Sequence, residues 1–328
     1  MNYKESAEIL AQINKSQRIL TNCHRGPDSD SVGSALALSR VLEGMGKDVT
    51  VICPSEIPED LAFLGTDKIQ RVDFSKFDFS GHDIFIVLDS SSYSMVAGVG
   101  EVEPPKMPVL VIDHHVSNEG FGTINLIDSQ MTSTGELLFQ IFSDWKVKID
   151  KETAQCLLTG IIGDTGSFQY QNVGAETLKT AAKLIKLGAN KDEIIRNVYR
   201  NIDFGEIKLW GKFIENMEMD EEFGFVWAAI PFSLYKEFGE PYSAKEDVAN
   251  LFFPIVKGTE FGMAMVEVEE RVLSISFRSK SDFDVSRIAS AIGGGGHKAA
   301  AGARIEGLPF DDAVIKALET ARKYAKKA

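Results

Sequence analysis

Aspartate and histidine cluster at several points along this chain, beginning with His24, Asp28 and Asp30 in the segment HRGPDSD. The segment follows a predicted strand and precedes a predicted helix. In extended backbone, residues two apart point to the same side, so Asp28 and Asp30 would offer two carboxylates to adjacent cations. The alternative is that Asp30 or Ser31 only caps the helix. Capping requires neither the histidine nor a second aspartate, so the segment indicates a metal site.

Three further segments place acidic or imidazole groups at the ends of predicted elements. Asp89 closes the apolar run DIFIVLD, and Asp113, His114 and His115 close the run VLVID. Open α/β sheets build their sites at the carboxyl ends of their strands, where both runs end. Asp164 ends an apolar helix, where its charge opposes the helix dipole and a purely structural role would be unfavourable. The three segments therefore extend the predicted site.

Six of these residues form a ligand set without a thiolate: His24, Asp28, Asp30, Asp89, His114 and Asp164. A mixture of carboxylate and imidazole suits Mn²⁺ or Mg²⁺, and sometimes Co²⁺, better than structural zinc. Two such ions roughly 3.5–4 Å apart would hold a water molecule, lower its pKa and bind a phosphoryl oxygen. The set therefore predicts a two-metal centre suited to phosphoester chemistry.

The first half of the chain alternates short apolar runs with helical patterns. Nearly continuous apolar runs are typical of strands buried in a parallel sheet, and apolar residues three and four apart indicate helices. The predicted strands are 18–23, 48–53, 83–89 and 109–113, and the predicted helices are 31–46, 133–144, 151–163 and 175–187. This pattern predicts an α/β fold with a doubly wound, mainly parallel sheet. The segment STGE at 133–136 fits a capping box, which we expect only to begin its helix.

The second half differs in pattern. Residues 191–218 are charged and helical, and strand-like runs begin at Phe223. We therefore predict a catalytic domain at 1–187, a helical linker at 188–220 and a smaller α+β domain at 221–328. The glycine run at 293–296 follows a predicted helix over 284–292. It could be a flexible linker or a helix C-cap, or its backbone N–H groups could line a phosphate or ribose.

Composition narrows the class of substrate. The net charge is −13, and no run of Lys and Arg forms the basic groove that a long nucleic acid requires. A small anionic substrate held by cations remains compatible with this charge. The apolar runs are too short to span a membrane, and the amino terminus lacks the apolar core of a signal peptide. The three cysteines are widely spaced, which fits a reducing cytosol. We therefore expect a cytoplasmic protein.

The triplet Asp113-His114-His115 resembles the signature of the DHH phosphoesterase family. The run Gly293 to His297, with Ala299–Gly302 behind it, resembles the signature of the companion DHHA1 domain. The two resemblances span roughly residues 15–305 and follow the domain order predicted above. They imply a DHH domain joined to a DHHA1 domain, as in the stand-alone nanoRNase/pAp-phosphatase branch of the family.

The resemblance also implies a role for each site residue. One Mn²⁺ would be held by His24, Asp28 and Asp89, and a second by Asp30, Asp89, His114 and Asp164. Asp89 would bridge the two ions. His115 would contact the scissile phosphate or assist proton transfer, and Asp113 would orient its neighbours. The nucleotide would be bound from the second domain by Arg278, Ser279, Gly294, Gly295, Gly296 and His297.

The resemblance implies a Mn-dependent phosphodiesterase that hydrolyses short oligoribonucleotides and linear dinucleotides such as pApA to mononucleotides. The same site would accept 3′-phosphoadenosine 5′-phosphate (pAp). Alternatives are an inorganic pyrophosphatase or exopolyphosphatase, a single-strand-specific DNA exonuclease, and a non-catalytic nucleotide sensor. Expected partners are thus small nucleotides or short oligonucleotides, without long duplexes or membranes. Exposed sheet edges would also allow a homodimer.

Overall fold

The computed structural model describes residues 3–98, 104–241, 244–280, 282–296 and 298–325. Their contacts divide the chain into two compact units, Met1–Asn201 and Ile202–Ala328. The helices of the first unit are α1 (Lys4–Lys15), α2 (Ser29–Gly44), α3 (Tyr93–Ala97), α4 (Thr134–Asp144), α5 (Lys151–Asp164), α6 (Ala175–Lys186) and α7 (Lys191–Tyr199). Its strands are β1 (Arg18–Asn22), β2 (Asp48–Cys53), β3 (Ile69–Arg71), β4 (Ile84–Leu88), β5 (Val109–Asp113) and β6 (Ile124–Ile127).

The described strands of the first unit form one parallel sheet in the order β3-β2-β1-β4-β5-β6. Every residue of β4 and β5 is buried. Apart from Asp113 at the end of β5 their sequences are apolar, as expected for strands covered on both faces. The strand order reverses between β1 and β4, so a doubly wound sheet has its crevice beyond the carboxyl ends of these two strands. The predicted fold class of this half is confirmed.

Glycine allows α2 and α5 to approach each other closely beside that crevice. A Cβ atom on Gly33 of α2 would lie 2.4 Å from the carbonyl oxygen of Cys156, and one on Gly163 of α5 would lie 2.5 Å from the Cβ of Ser29. Real side chains do not tolerate such contacts, so larger residues would push the helices apart. The small residues therefore bring the start of α2 against the end of α5.

The start of α2 corrects two expectations. Asp28, rather than Asp30 or Ser31, is the N-cap, and its carboxylate accepts hydrogen bonds from the backbone N–H groups of Asp30 (3.0 Å) and Ser31 (2.9 Å). Asp28 and Asp30 therefore do not share an extended segment, since Asp30 already lies in the first turn of the helix. The predicted extended geometry of these two residues was wrong because the N-cap lies two residues before Asp30.

The second unit is a mixed α+β structure, as predicted. Its helices are α8 (Phe204–Glu215), α9 (Phe232–Glu237), α10 (Ala244–Leu251), α11 (Ser286–Ala291) and α12 (Phe310–Tyr324). Its strands are β7 (Glu218–Asp220), β8 (Phe225–Ile230), β9 (Phe261–Glu269), β10 (Val272–Ser279), β11 (Gly295–Gly296) and β12 (Ala300–Glu306). The described strands follow the order β11-β12-β10-β9-β8-β7, in which β8 and β9 pair in parallel and the other neighbours are antiparallel. In the described part of the chain, no helix combines the length and apolar character needed to cross a bilayer.

Candidate metal centre

The acidic and imidazole residues of the first unit meet at one edge of the parallel sheet. His24 follows β1, Asp89 follows β4, and Asp113 ends β5. Helix α2 brings Asp30 to this edge in its first turn, and α5 brings Asp164 as its last residue. The carboxyl ends of adjacent parallel strands lie side by side, so residues far apart in sequence come together here.

Ligand atoms gather in three overlapping groups, in each of which the atoms lie within 4.8 Å of one another. The groups are His24 with Asp28 and Asp89, Asp30 with His114 and Asp164, and Asp89 with His114 and His115. All six predicted metal ligands are therefore brought together.

Asp89 connects the groups. Its Oδ2 lies 3.5 Å from Nε2 of His24, and its Oδ1 lies 3.6 Å from Nε2 of His114. The residue is buried and has a φ of 50°, in the left-handed region. A non-glycine residue in that region is strained, and such strain is concentrated at functional sites. The backbone thus holds the two carboxylate oxygens toward two different histidines.

Backbone carbonyl groups orient both histidines. Nδ1 of His24 lies 3.0 Å from the carbonyl oxygen of Arg25, and Nδ1 of His114 lies 3.4 Å from that of Met131. If each Nδ1 carries the donated hydrogen, each Nε2 presents a lone pair to the carboxylates, as in protein metal sites. Nε2 of His114 is buried without a hydrogen bond from the described residues, although Asp164 Oδ2 is 3.1 Å away. Such an atom fits a cation ligand.

The electrostatics of the cluster favour positive charge. Burial opposes protonation of His24, but contacts with Asp28 and Asp89 outweigh it and raise its pKa to about 11. Burial likewise opposes protonation of His114, yet the carboxylates of Asp164, Asp30 and Asp89 raise its pKa to about 10. Without a cation the cluster retains protons that offset its carboxylates. A divalent ion would supply that charge instead, so the residues fit a metal.

Asp30 is held by the amino end of α4. Its Oδ2 accepts a hydrogen bond from the N–H of Thr134 (2.6 Å), and its Oδ1 accepts one from the N–H of Gly135 (2.8 Å). The hydroxyl of Thr134 donates to Asp89 Oδ1 at 3.0 Å. The segment at 133–136 therefore contacts two predicted ligands, and the expectation that it only begins a helix was wrong. Its sequence resembles an ordinary cap, so only the tertiary contacts show this second role.

The capping box itself is only half formed. Ser133 Oγ accepts a hydrogen bond from the N–H of Glu136 at 3.0 Å, as predicted for the N-cap. The Glu136 carboxylate does not return to Ser133. Its Oε2 accepts from the N–H and hydroxyl of Thr132 (3.1 and 2.7 Å) and from the hydroxyl of Thr177 (3.2 Å). These buried contacts fasten the first turn of α4 to the preceding residue and to α6.

Asp113 and His115 form a second hydrogen-bonded pair. Asp113 Oδ1 lies 2.8 Å from Nδ1 of His115 and accepts from the N–H groups of His114 (2.8 Å) and His115 (3.3 Å). Asp113 Oδ2 accepts from the side-chain amide of Asn118 at 2.7 Å, and that amide also donates to the carbonyl oxygen of Ser90. Asp113 thus orients the residues after β5, and Asn118 is a supporting residue that the sequence alone did not single out.

The predicted substrate-binding residues lie in the second unit. Arg278 and Ser279 end β10, and Arg278 Nε donates to Asn250 Oδ1 at 2.5 Å.

The predicted glycine run follows α11. Gly293 has a φ of 86°, whereas Gly295 and Gly296 form β11. A Cβ atom on Gly294 would lie 2.1 Å from the carbonyl oxygen of Gly302. The glycine run therefore has a structural role, and its substrate contacts remain a prediction. His297 lies outside the described residues.

Family comparisons match both halves of the chain. The DHH family, N-terminal domain, matches residues 18–161, which include every predicted metal ligand except Asp164. The DHHA1 domain matches residues 257–327. The chain therefore contains a DHH domain followed by a DHHA1 domain. It is thus a DHH phosphoesterase, whose Asp-His-His triplet is residues 113–115.

Similarity to individual DHH proteins extends over nearly the full length. The chain is 29% identical to the bifunctional oligoribonuclease and PAP phosphatase NrnA of Thermus thermophilus, covering 99% of this chain and 96% of the relative. It is 25% identical to the protein of the same name from Bacillus subtilis, covering 95% and 97%. The crystal structure of an exopolyphosphatase-related protein from Bacteroides fragilis superposes with a TM-score of 0.86 at 25% identity, covering 97% and 95%.

We expect Thr134→Val to weaken metal binding and activity by about 10- to 100-fold, because it removes the hydroxyl that orients Asp89. Valine keeps the shape of the side chain and leaves the N–H that holds Asp30 in place. Mn²⁺ affinity by calorimetry and kcat would measure the effect. Thr134→Ser, which restores the hydroxyl, is the matched control and should remain near wild type. Equal Mn²⁺ affinity in the valine variant and the wild type would refute the role.

Proposed function

We propose that this DHH phosphoesterase hydrolyses short oligoribonucleotides and linear dinucleotides of the pApA type to mononucleotides, and pAp to AMP, with two Mn²⁺ ions. The observation that carries the proposal is the pair of ligand groups joined by Asp89. The names of the full-length relatives support the substrate class. The net charge of −13 also favours short substrates over long nucleic acids.

The proposed ligands divide between two ions. His24, Asp28 and Asp89 would hold one, and Asp30, Asp89, His114 and Asp164 the other. Bound at this site, the ions would polarise the phosphoryl oxygens and lower the pKa of water. Mg²⁺ or Co²⁺ would fit the same oxygen and imidazole ligands, and Mn²⁺ is proposed because it accepts both types readily.

The protein's own groups would position the phosphoester. His115 has its Nδ1 engaged by Asp113 at 2.8 Å, so its Nε2 is the ring nitrogen available to contact a phosphoryl oxygen or to transfer a proton. Asp113 keeps the ring in one orientation because Asn118 and two backbone N–H groups hold its carboxylate. Substrate contacts from Arg278, Ser279, Gly294–Gly296 and His297 complete the proposal.

Hydrolysis of four substrates with Mn²⁺ would test this function: pApA, pAp, a five-residue RNA and pyrophosphate. We expect AMP release from pApA and mononucleotide release from the RNA, with pAp also cleaved and pyrophosphate left intact. Parallel assays with Mg²⁺ and Co²⁺ would rank the metals. Turnover of pyrophosphate alone would overturn the nucleotide assignment. In a separate assay, digestion of a 30-residue single-stranded DNA without accumulation of short products would favour an exonuclease.

A further inference from the structure

An unusual turn follows the proposed ligand Asp164. Gly166, Ser167 and Phe168 have φ values of 54°, 58° and 68°, so two non-glycine residues adopt the left-handed conformation in succession. This backbone is unfavourable for residues with a Cβ atom. Such strain persists only where surrounding contacts enforce it, and it is concentrated at functional sites.

Thr165 enforces the turn. Its side-chain oxygen accepts a hydrogen bond from the N–H of Phe168 at 3.0 Å, and its carbonyl oxygen accepts from the N–H groups of Gln169 (2.8 Å) and Tyr170 (3.2 Å). Thr165 is itself buried, and the ring of Phe168 packs against the core of the first unit. The chain is thereby folded back on itself, and Tyr170 is held beside the residue that follows Asp164.

The ring of Tyr170 lies over the backbone of Gly166. A Cβ atom on Gly166 would be 2.6 Å from Cε1 and 2.7 Å from Cζ of the ring, so only glycine permits this arrangement. The residue is nevertheless 57% exposed, so the ring is accessible to a ligand. Neither the core of the unit nor the proposed metal chemistry uses this ring.

A second tyrosine, Tyr199, contacts the carboxyl end of α5. The hydroxyl of Tyr199 donates to the carbonyl oxygen of Ile162 at 3.1 Å, within the last turn of α5. Burial is the main cause that raises the pKa of the Tyr199 hydroxyl to about 12, and the negative charge of Asp164 adds to it. The ring of Tyr170 packs on Gly166, two residues after Asp164, so the exposed ring lies beside the end of α5 that carries this proposed ligand.

We propose that Tyr170 is a stacking platform for the base of the nucleotide whose phosphate binds at the metal centre. The inference rests on the proposed function and adds a determinant of substrate class. Aromatic side chains stack on every base through the π-face, which gives affinity without sequence preference. A protein with a net charge of −13 gains little from neutralising phosphates with Lys and Arg, so a stacking contact would supply base-dependent affinity.

Steady-state kinetics of Tyr170→Ala and Tyr170→Phe with pApA would test the platform. We expect Tyr170→Ala to raise KM by roughly 5- to 100-fold with kcat within about twofold of wild type, and Tyr170→Phe to stay near wild type. An analogue of pApA that lacks both bases should be cleaved with the same KM and kcat by the wild type, Tyr170→Ala and Tyr170→Phe. Phe204→Ala, which removes a 73% exposed ring from the second unit, is the matched control.

Calorimetric binding of AMP to the same variants separates this inference from the proposed function, because it requires no hydrolysis. We expect AMP to bind wild type and Tyr170→Phe alike, and Tyr170→Ala more weakly. An unchanged KM and an unchanged AMP affinity in Tyr170→Ala would overturn the platform. An equal rise in KM for the base-free analogue in Tyr170→Ala would also overturn it, because the ring would then act through the turn after Asp164 rather than on a base. If the wild type hydrolysed none of the substrates but still bound AMP more tightly than Tyr170→Ala does, only the proposed function would be refuted.

Discussion

Asp89→Asn is expected to lower kcat/KM for phosphoester hydrolysis by at least about 100-fold. This exceeds the usual effect of losing a residue that only hydrogen-bonds to a metal ligand. Asp89 is the residue whose two oxygens face both His24 and His114. Asparagine tolerates the left-handed backbone that Asp89 adopts, so the substitution removes the charge with little added strain. Mn²⁺-dependent hydrolysis of pApA and calorimetric Mn²⁺ binding would measure the effect.

The melting temperature without metal distinguishes a lost ligand from a lost fold. We expect Asp89→Asn to melt within a few degrees of wild type without Mn²⁺, but to gain much less stability when Mn²⁺ is added. Asp48→Asn at the amino end of β2, an exposed aspartate at the opposite end of a strand, is the matched control and should behave as wild type. A variant that retains wild-type Mn²⁺ affinity and activity would show that Asp89 is no ligand.

Gly160→Ala is expected to destabilise the first unit by about 1–3 kcal/mol, although alanine normally favours a helix interior over glycine. The added Cβ atom would lie 2.3 Å from Oδ1 of Asp30 and 3.2 Å from its Cα. Asp30 cannot withdraw easily, because the N–H groups of Thr134 and Gly135 hold its carboxylate. We therefore expect Mn²⁺ affinity to fall together with stability. Urea unfolding and calorimetry would measure the two effects.

Gly211→Ala supplies the matched control for this prediction. Gly211 lies inside α8, and apart from its chain neighbours and the backbone of the same helix, no atom of the described residues would lie within 4 Å of an added Cβ. Helix propensity alone should therefore act there and stabilise the second unit by about 0.5–1 kcal/mol. If Gly160→Ala proved as stabilising as Gly211→Ala, the close packing of α5 against Asp30 would be refuted.

The sequence by itself determined the fold class and the ligands that could come together. The runs at 84–88 and 109–112 are continuously apolar, which is typical of strands covered on both faces, so local pattern alone identified them. Because parallel strands carry their sites at one edge, the position of Asp89 and Asp113 at strand ends predicted that they would meet. The resemblance to the DHH triplet then implied a role for each of them.

Only the tertiary structure decided how those ligands are held. Thr134 lies 45 residues from Asp89 and 104 from Asp30, yet it donates to both carboxylates. No local pattern encodes such a contact, since it depends on the packing of α4 against the start of α2. A glycine inside a helix is ordinarily unfavourable, but at Gly160 the close approach of Asp30 makes the missing Cβ atom a requirement. Side-chain spacing identifies candidate ligands, and close packing between distant elements orients them.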